Sequence, residues 1–563
     1  MPNLDPATVF ALVTAASTAA FLAWTAKQAG REWLLWPLLA LSLYCLYLAA
    51  PILMSRRGTE AFQTLVVVFA ALGIPSGVYV GFLTYRTLTH GKEALDAQLN
   101  QATSAAIDGP TDIRTVASLL PAAGEDADPR SHFKPGEFVM GQSDTGEPVR
   151  WEGSLPHVLV LGTTGAGKGV FLQTIAAQAV QNGELLVLID PKNDEWLPHS
   201  LFQACQQLGA TYRYLQLAGE AGPQIDLVAG ATAEQVFEIF IGAMALSDTG
   251  KGADYYRLFD RRGARFAAQL IAAEKLNLAE AYEKLKADAF FQDDASGFLG
   301  KLEELSQVVA INAKVPAWGL AEMVETGGAV YVLGSLRNQS VKRGQQAVFI
   351  RLQQLAEQRD RLGGPHKTIT VIADEFKVQV CRPIVEGLAT MRDKNMRLVI
   401  AMQSLKDLLE SPKDLDPEAV MASVVENTAA QIVYRIQDPA TAELLAQKSG
   451  GVRVQQVSRR VARGLLWTEE IDGKTLSDAE GYLFDMNKLM SMPKRWAVMY
   501  GQGVAQAIRI SPIPVQKSRD ALVPSLAADP DASMPPQSVP TPKPKSSRTK
   551  QRGPEDTDFF ALE

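Results

Sequence analysis

The chain has 563 residues, enough for several domain-sized units. Its 55 lysines and arginines are outnumbered by 62 aspartates and glutamates, a net charge of −7, so no overall basic excess marks it for nucleic acid and any such contact must come from a local patch. Cys45, Cys205 and Cys381 lie far apart without metal-ligand spacing, which argues against a disulfide framework and fits a reducing compartment.

Three uncharged apolar stretches come first, at about 7–26, 33–54 and 62–85. Each is near the roughly 20 residues that cross a hydrocarbon core, so residues 1–90 are expected to form a transmembrane region of two to three helices. Arg86, His90 and Lys92 favour a cytoplasmic location for the chain after residue 86. Three spans are preferred, although they leave Arg56 and Arg57 outside; two would keep both ends inside. Residues 91–132 read as a polar connector, and the turn signals of 133–156 suggest a hairpin leading into the core.

Residues 157–169, HVLVLGTTGAGKG, run from an apolar strand into a glycine-rich turn ending in lysine. Such a strand, turn and helix N-terminus cradles phosphate with backbone N–H groups and the positive end of the helix dipole. The cradle is Gly162, Thr163, Thr164, Gly165, Ala166, Gly167, Lys168, Gly169 and Val170, with Lys168 reaching the β- and γ-phosphates. Gly169 stands where serine or threonine usually offers a hydroxyl to Mg²⁺. Strands are then expected at 157–162, 184–190, 211–217, 329–336, 368–374, 397–403, 430–436 and 496–501, alternating with helices as in a mostly parallel α/β sheet. Asp190 and Lys192, in VLIDPKND, fit either a plain turn or a role at the sheet edge.

Residues 231–326 break the alternation with an almost continuous helical period and read as an all-α insertion. Its cluster Lys251, Arg257, Arg261, Arg262 and Arg265 is either a solvated helix face or a DNA-facing surface. The strand of TITVIADEF, 368–376, ends in two carboxylates. Asp374 can hold the Mg²⁺ water shell, and Glu375 can polarise an attacking water as general base. The strand of RLVIAMQS, 397–404, ends in Gln403, which can sense the γ-phosphate or hold the water. Arg392 is either a surface arginine or a finger entering a neighbouring copy's site. From 516 to 563 the composition turns to Pro, Ser, Ala and Lys, too poor in apolar residues to fold, and ends in EDTDFFALE, so this stretch is either an inert tail or a peptide docking tail.

With these motifs in this order, the chain resembles the type IV secretion coupling proteins, the TraG/TraD-type members of the FtsK/HerA class of hexameric pumps, from about 133 to 515. The stretches 327–360 and 487–513 carry the likeness too, and the glycine after the P-loop lysine recurs in some members. The resemblance implies a RecA-like P-loop NTPase domain at 133–230 and 327–515, using ATP and Mg²⁺, in a homo-oligomer, as a hexamer, on the bacterial inner membrane. It further implies partners: DNA, a relaxase or other secretion substrates, and the channel proteins. An FtsK-type chromosome translocase is the alternative, disfavoured because no winged-helix domain follows 515. A membrane docking receptor switched by nucleotide is another.

Overall fold

The computed structural model describes Ile113 and residues 116–526, except 123, 125, 249–253, 360–363 and 464–467. The three apolar stretches and most of the tail therefore lie outside the described residues. Among the described residues no helix is long and apolar enough to cross a membrane.

Seven strands pair in parallel: β3 (Val158–Leu161), β4 (Leu185–Asp190), β5 (Tyr212–Gln216), β6 (Gly328–Leu333), β7 (Ile369–Ala373), β8 (Met396–Met402) and β9 (Ala430–Val433). Their spatial order is β9-β3-β8-β7-β4-β6-β5. β3, β4, β7, β8 and β9 are buried along their whole length, as their near-continuous Val, Ile and Leu runs require of a sheet covered on both faces. The β9 edge is extended by four antiparallel strands: β12 (Trp496–Tyr500), β13 (Gln506–Arg509), β1 (Phe138–Gln142) and β2 (Pro148–Trp151), the last two being the expected hairpin.

Helices α1 (Lys168–Gln181) and α2 (Leu197–Leu208) follow β3 and β4. Between β5 and β6 the α-helices among the described residues are α3 (Ala233–Ala243), α4 (Asp254–Glu274), α5 (Leu278–Leu285), α6 (Ala289–Asp293), α7 (Ser296–Ser306) and α8 (Leu320–Thr326). Capping boxes at Thr232 and Asn277 start α3 and α5. This helical layer has its own aromatic core, in which Phe298 packs on both Phe240 and Phe291. α9 (Gln339–Glu357), α10 (Arg382–Met391), α11 (Pro417–Asn427), α12 (Pro439–Lys448) and α13 (Met486–Ser491) complete the body.

All eight expected strands are present. The sequence reading missed a long antiparallel ribbon of β10 (Gly451–Arg463) and β11 (Thr468–Tyr482). β11 (TEEIDGKTLSDAEGY) is poor in apolar residues and holds Gly and Asp, which strands disfavour, so no alternation announces it. The ribbon belongs to a compact unit separate from the sheet and its helices.

Residues 516–526, assigned by composition to the tail, instead run over α2. The Ser518 N–H donates to His199 Nδ1 (3.2 Å), and the Tyr212 hydroxyl donates to the Ala521 carbonyl (2.8 Å). Polar bonds to the backbone hold this segment, which is why a reading of apolar content passed over it.

Candidate functional site

β3 delivers the chain into the glycine turn, and β9 fixes that turn from the side. The Tyr434 N–H donates to the Leu161 carbonyl (2.8 Å), and the Thr163 N–H donates to the Arg435 carbonyl (2.9 Å). A Cβ on Gly162 would stand 2.6 Å from the Cβ of Tyr434, so only glycine fits there. Gly167, at φ +125°, starts α1 without a side-chain cap, leaving the helix end free of a competing acceptor. The buried Lys168 ammonium folds back onto the carbonyls of Gly162 and Thr163. Burial lowers its pKa, as does the charge of Lys192, while Glu375 and Asp374 oppose both. The Thr163 hydroxyl oxygen is buried with no hydrogen-bond partner among the described residues, whereas Thr164 and Gly165 lie exposed at the rim.

The acidic pair stands two strands away in the sheet, at the tip of β7, with β8 between. The Asp374 N–H donates to the Ile189 carbonyl (3.1 Å), and Glu375 sits at φ +47°, a left-handed conformation unusual for a residue with a side chain. That backbone turn accompanies a buried carboxylate; Glu375 is 2% exposed and Asp374 is 8% exposed. Gln403, at the tip of the intervening β8, donates from Nε2 to Glu375 Oε1 (3.2 Å). Asp407 in turn accepts from the Gln403 and Ser404 N–H groups (3.0 and 3.3 Å). Lys168, Asp374, Glu375 and Gln403 are thus gathered at one edge of the sheet, where open α/β sheets bind ligands.

Lys192 joins them. Its ammonium pairs with Glu375 and lies 3.5 Å from Asp374. The loop carrying it is held by the fully buried Asp190, which accepts from the N–H groups of Lys192 (2.7 Å) and Asp194 (2.6 Å) and from the Tyr331 hydroxyl. Burial pushes the Glu375 pKa up, but the Lys192 pair and the Gln403 amide outweigh it and hold the carboxyl below its usual range. Asp374 stays above its usual range because burial exceeds the pull of Lys192. In VLIDPKND, then, Asp190 holds the turn and Lys192 stands at the sheet edge against the acidic pair. Sequence gave no signal for Asp407, and none for which carboxylates Lys192 would face, because strand adjacency alone brings them together.

Arg392 does not join the site of its own chain. It opens a tight helical turn before β8, at the opposite end of that strand from Gln403, roughly 20 Å away at strand rise. Its charge, after burial, helps lower the pKa of His157 to about 4.

Of the basic cluster, Lys251 lies outside the described residues. Arg261, Arg262 and Arg265 line, with Phe237, Ile241 and Leu258, a cavity of about 640 Å³ in the helical layer. Arg261 pairs with Asp248, and Arg265 pairs with Glu234 and stacks over Phe237 (4.2 Å), so this face already carries much of its own counter-charge.

The fit to a magnesium–nucleotide is favourable. An orphaned buried hydroxyl, an uncapped helix start and a buried lysine converge on one cradle, and Asp374 stands across from it. Among the described residues no three His, Cys, Asp or Glu side chains form a protein-only metal cage. Mg²⁺ usually needs none, being held through one or two carboxylates, waters and the phosphates.

Residues 368–494 match the family described as the TraM recognition site of TraD and TraG, a span that takes in β7, the acidic pair, Gln403 and the β10–β11 ribbon. The chain is similar to the TraG/TraD-type coupling proteins over that span. It is 25% identical over 361 residues to mobilization protein A of Escherichia coli, covering 63% of this chain and 66% of that relative. This chain thus spans just under two thirds of that relative. The fold is that of the bacterial conjugative coupling protein TrwB. A complex of TrwB with a non-hydrolysable ATP analogue has a TM-score of 0.52 at 14% identity, covering 72% of this chain and 99% of TrwB. A sulphate complex of TrwB gives 0.51 at 14% identity, covering 73% and 100%. A third TrwB structure, in complex with ADP and Mg²⁺, gives 0.50 at 15% identity, covering 70% and 93%.

Proposed function

We propose that this chain is a coupling protein, an ATPase of the bacterial inner membrane, hexameric when active, that recruits a relaxase–DNA complex or protein substrates to a type IV secretion channel and drives their transfer. The observation that carries the reading is the meeting of Lys168, Asp374, Glu375 and Gln403 at one sheet edge. Lys168 and the start of α1 bind the β- and γ-phosphates. Mg²⁺, when bound, neutralises charge on those phosphates, with Asp374 facing it. Glu375, ionised at neutral pH because Lys192 and Gln403 hold its pKa down, accepts the proton of the attacking water, and Gln403 orients both. Arg392, far from its own site, is a finger only for a neighbouring copy. The relatives named for mobilization, for conjugative coupling and for TraM recognition support DNA transfer and a relaxase-associated partner. The apolar stretches of 1–90 support the membrane tether.

A mating assay tests this. The Glu375→Gln protein is expected to assemble and bind ATP but to transfer no DNA. Full transfer by that protein would leave a docking receptor rather than a motor.

A further inference from the structure

In a P-loop whose lysine is followed by serine or threonine, that hydroxyl supplies an oxygen to the metal ion beside the phosphates. Gly169 has no side chain to offer. A Cβ built on Gly169 meets one atom within 4 Å, Asp194 Oδ2, at 3.9 Å. A serine hydroxyl is bonded directly to that Cβ, so the Asp194 carboxylate faces the space such a hydroxyl would fill.

Asp194 is held there firmly. Its N–H donates to the buried Asp190 (2.6 Å). Its Oδ1 accepts from the N–H groups of Trp196 (2.8 Å) and Leu197 (2.9 Å), capping the start of α2. Oδ2 accepts no hydrogen bond among the described residues. The carboxylate is thereby split: one oxygen is committed to the helix, and the other is turned toward the first turn of α1. The Thr163 hydroxyl, also buried and without a partner among the described residues, belongs to the same cradle.

We propose that Asp194 supplies, through Oδ2, the oxygen toward the divalent cation that Gly169 cannot, so that the metal contact of this P-loop comes from the β4–α2 loop. The proposal rests on the nucleotide-binding reading above. On this reading a P-loop with glycine at 169 would keep a protein oxygen for the cation, supplied by a residue 25 positions later in the chain.

The test is the affinity of the full chain for a fluorescent ADP analogue, measured by titration in excess Mg²⁺ and in EDTA. Asp194→Asn keeps the helix cap through its amide oxygen but turns an N–H₂ toward the metal. The expected result is unchanged affinity in EDTA and a loss of the Mg²⁺-dependent gain of about tenfold or more. Adding Gly169→Ser to Asp194→Asn restores most of that gain by returning the hydroxyl. An unchanged Mg²⁺ gain in Asp194→Asn overturns the proposal. An equal loss with and without Mg²⁺, unrelieved by Gly169→Ser, also overturns it and makes Asp194 a purely structural cap. A wild-type chain that binds no nucleotide in either condition removes the nucleotide-binding reading itself, and the proposal with it.

Discussion

Lys192 carries the most consequence for a single side chain, because its one ammonium faces both carboxylates of the proposed hydrolysis site. In Lys192→Met, burial of Glu375 remains while the principal force lowering its pKa is gone, so the pKa rises. The base must be ionised to work, so the acid limb of the ATPase pH–rate profile should move to higher pH in the variant. An unmoved limb would detach Lys192 from the chemistry. Gly162→Ala should abolish nucleotide binding, because the new methyl meets the Cβ of Tyr434 at 2.6 Å and must push the turn away from β9; a titration with ATP checks it. At this scale the sequence was legible where a residue's place is tied to its own strand end, as for Lys168, Asp374, Glu375 and Gln403. It left Lys192 undecided and was silent on Asp194, Asp407 and Tyr434, whose neighbours are chosen by which strands lie side by side. For Arg392 the choice between a surface arginine and a finger for a neighbouring copy stays open, because a single chain shows only that it lies at the far end of β8 from Gln403.

Among elements, the parallel strands were readable because burial on both faces demands unbroken apolar runs. The β10–β11 ribbon was not, since little apolar patterning marks it. The N-terminal ends of the strands carry a buried polar cluster remote from the site. Arg397 Nη1 pairs with Glu184 (2.9 Å), Thr370 Oγ1 donates to the same carboxylate (2.5 Å), and the guanidinium covers the Phe138 ring (4.6 Å). Glu184→Ala leaves that guanidinium buried and unpaired and should cost about 3–5 kcal/mol. Glu184→Leu with Arg397→Met should cost less, as read by urea unfolding. His157 lies at the same end, its Nδ1 accepting from the Leu398 N–H (2.9 Å) and its Nε2–H donating to the Leu388 carbonyl (3.1 Å). Burial holds its folded pKa near 4. The unfolded chain therefore takes up a proton that the folded one refuses as pH falls from about 6.5 toward 4, costing at most about 3 kcal/mol of stability by pH 4. His157→Gln should flatten that part of the stability–pH curve.

For the whole molecule, the sheet separates the proposed site at its C-terminal edge from structural polar contacts at its N-terminal edge. The β10–β11 ribbon begins and ends at a point where the Leu483 N–H donates to the Gly450 carbonyl (3.1 Å). Replacing 452–481 by a short turn should accordingly leave nucleotide binding intact. Truncation should distinguish two parts of the composition-defined tail. A chain ending at 526 should keep its ATPase, whereas one ending at 513 loses the bonds to His199 and Tyr212 and should unfold at lower temperature. The composition shift marked where apolar content falls, not where backbone contacts stop.

The most direct test of the central claim is phosphate release from ATP by the full chain, with and without single-stranded DNA, beside Lys168→Ala and Glu375→Gln. The account predicts Mg²⁺-dependent release that DNA raises, lost in Lys168→Ala together with nucleotide binding, and lost in Glu375→Gln with nucleotide binding retained. Release at the wild-type rate by Glu375→Gln would contradict it.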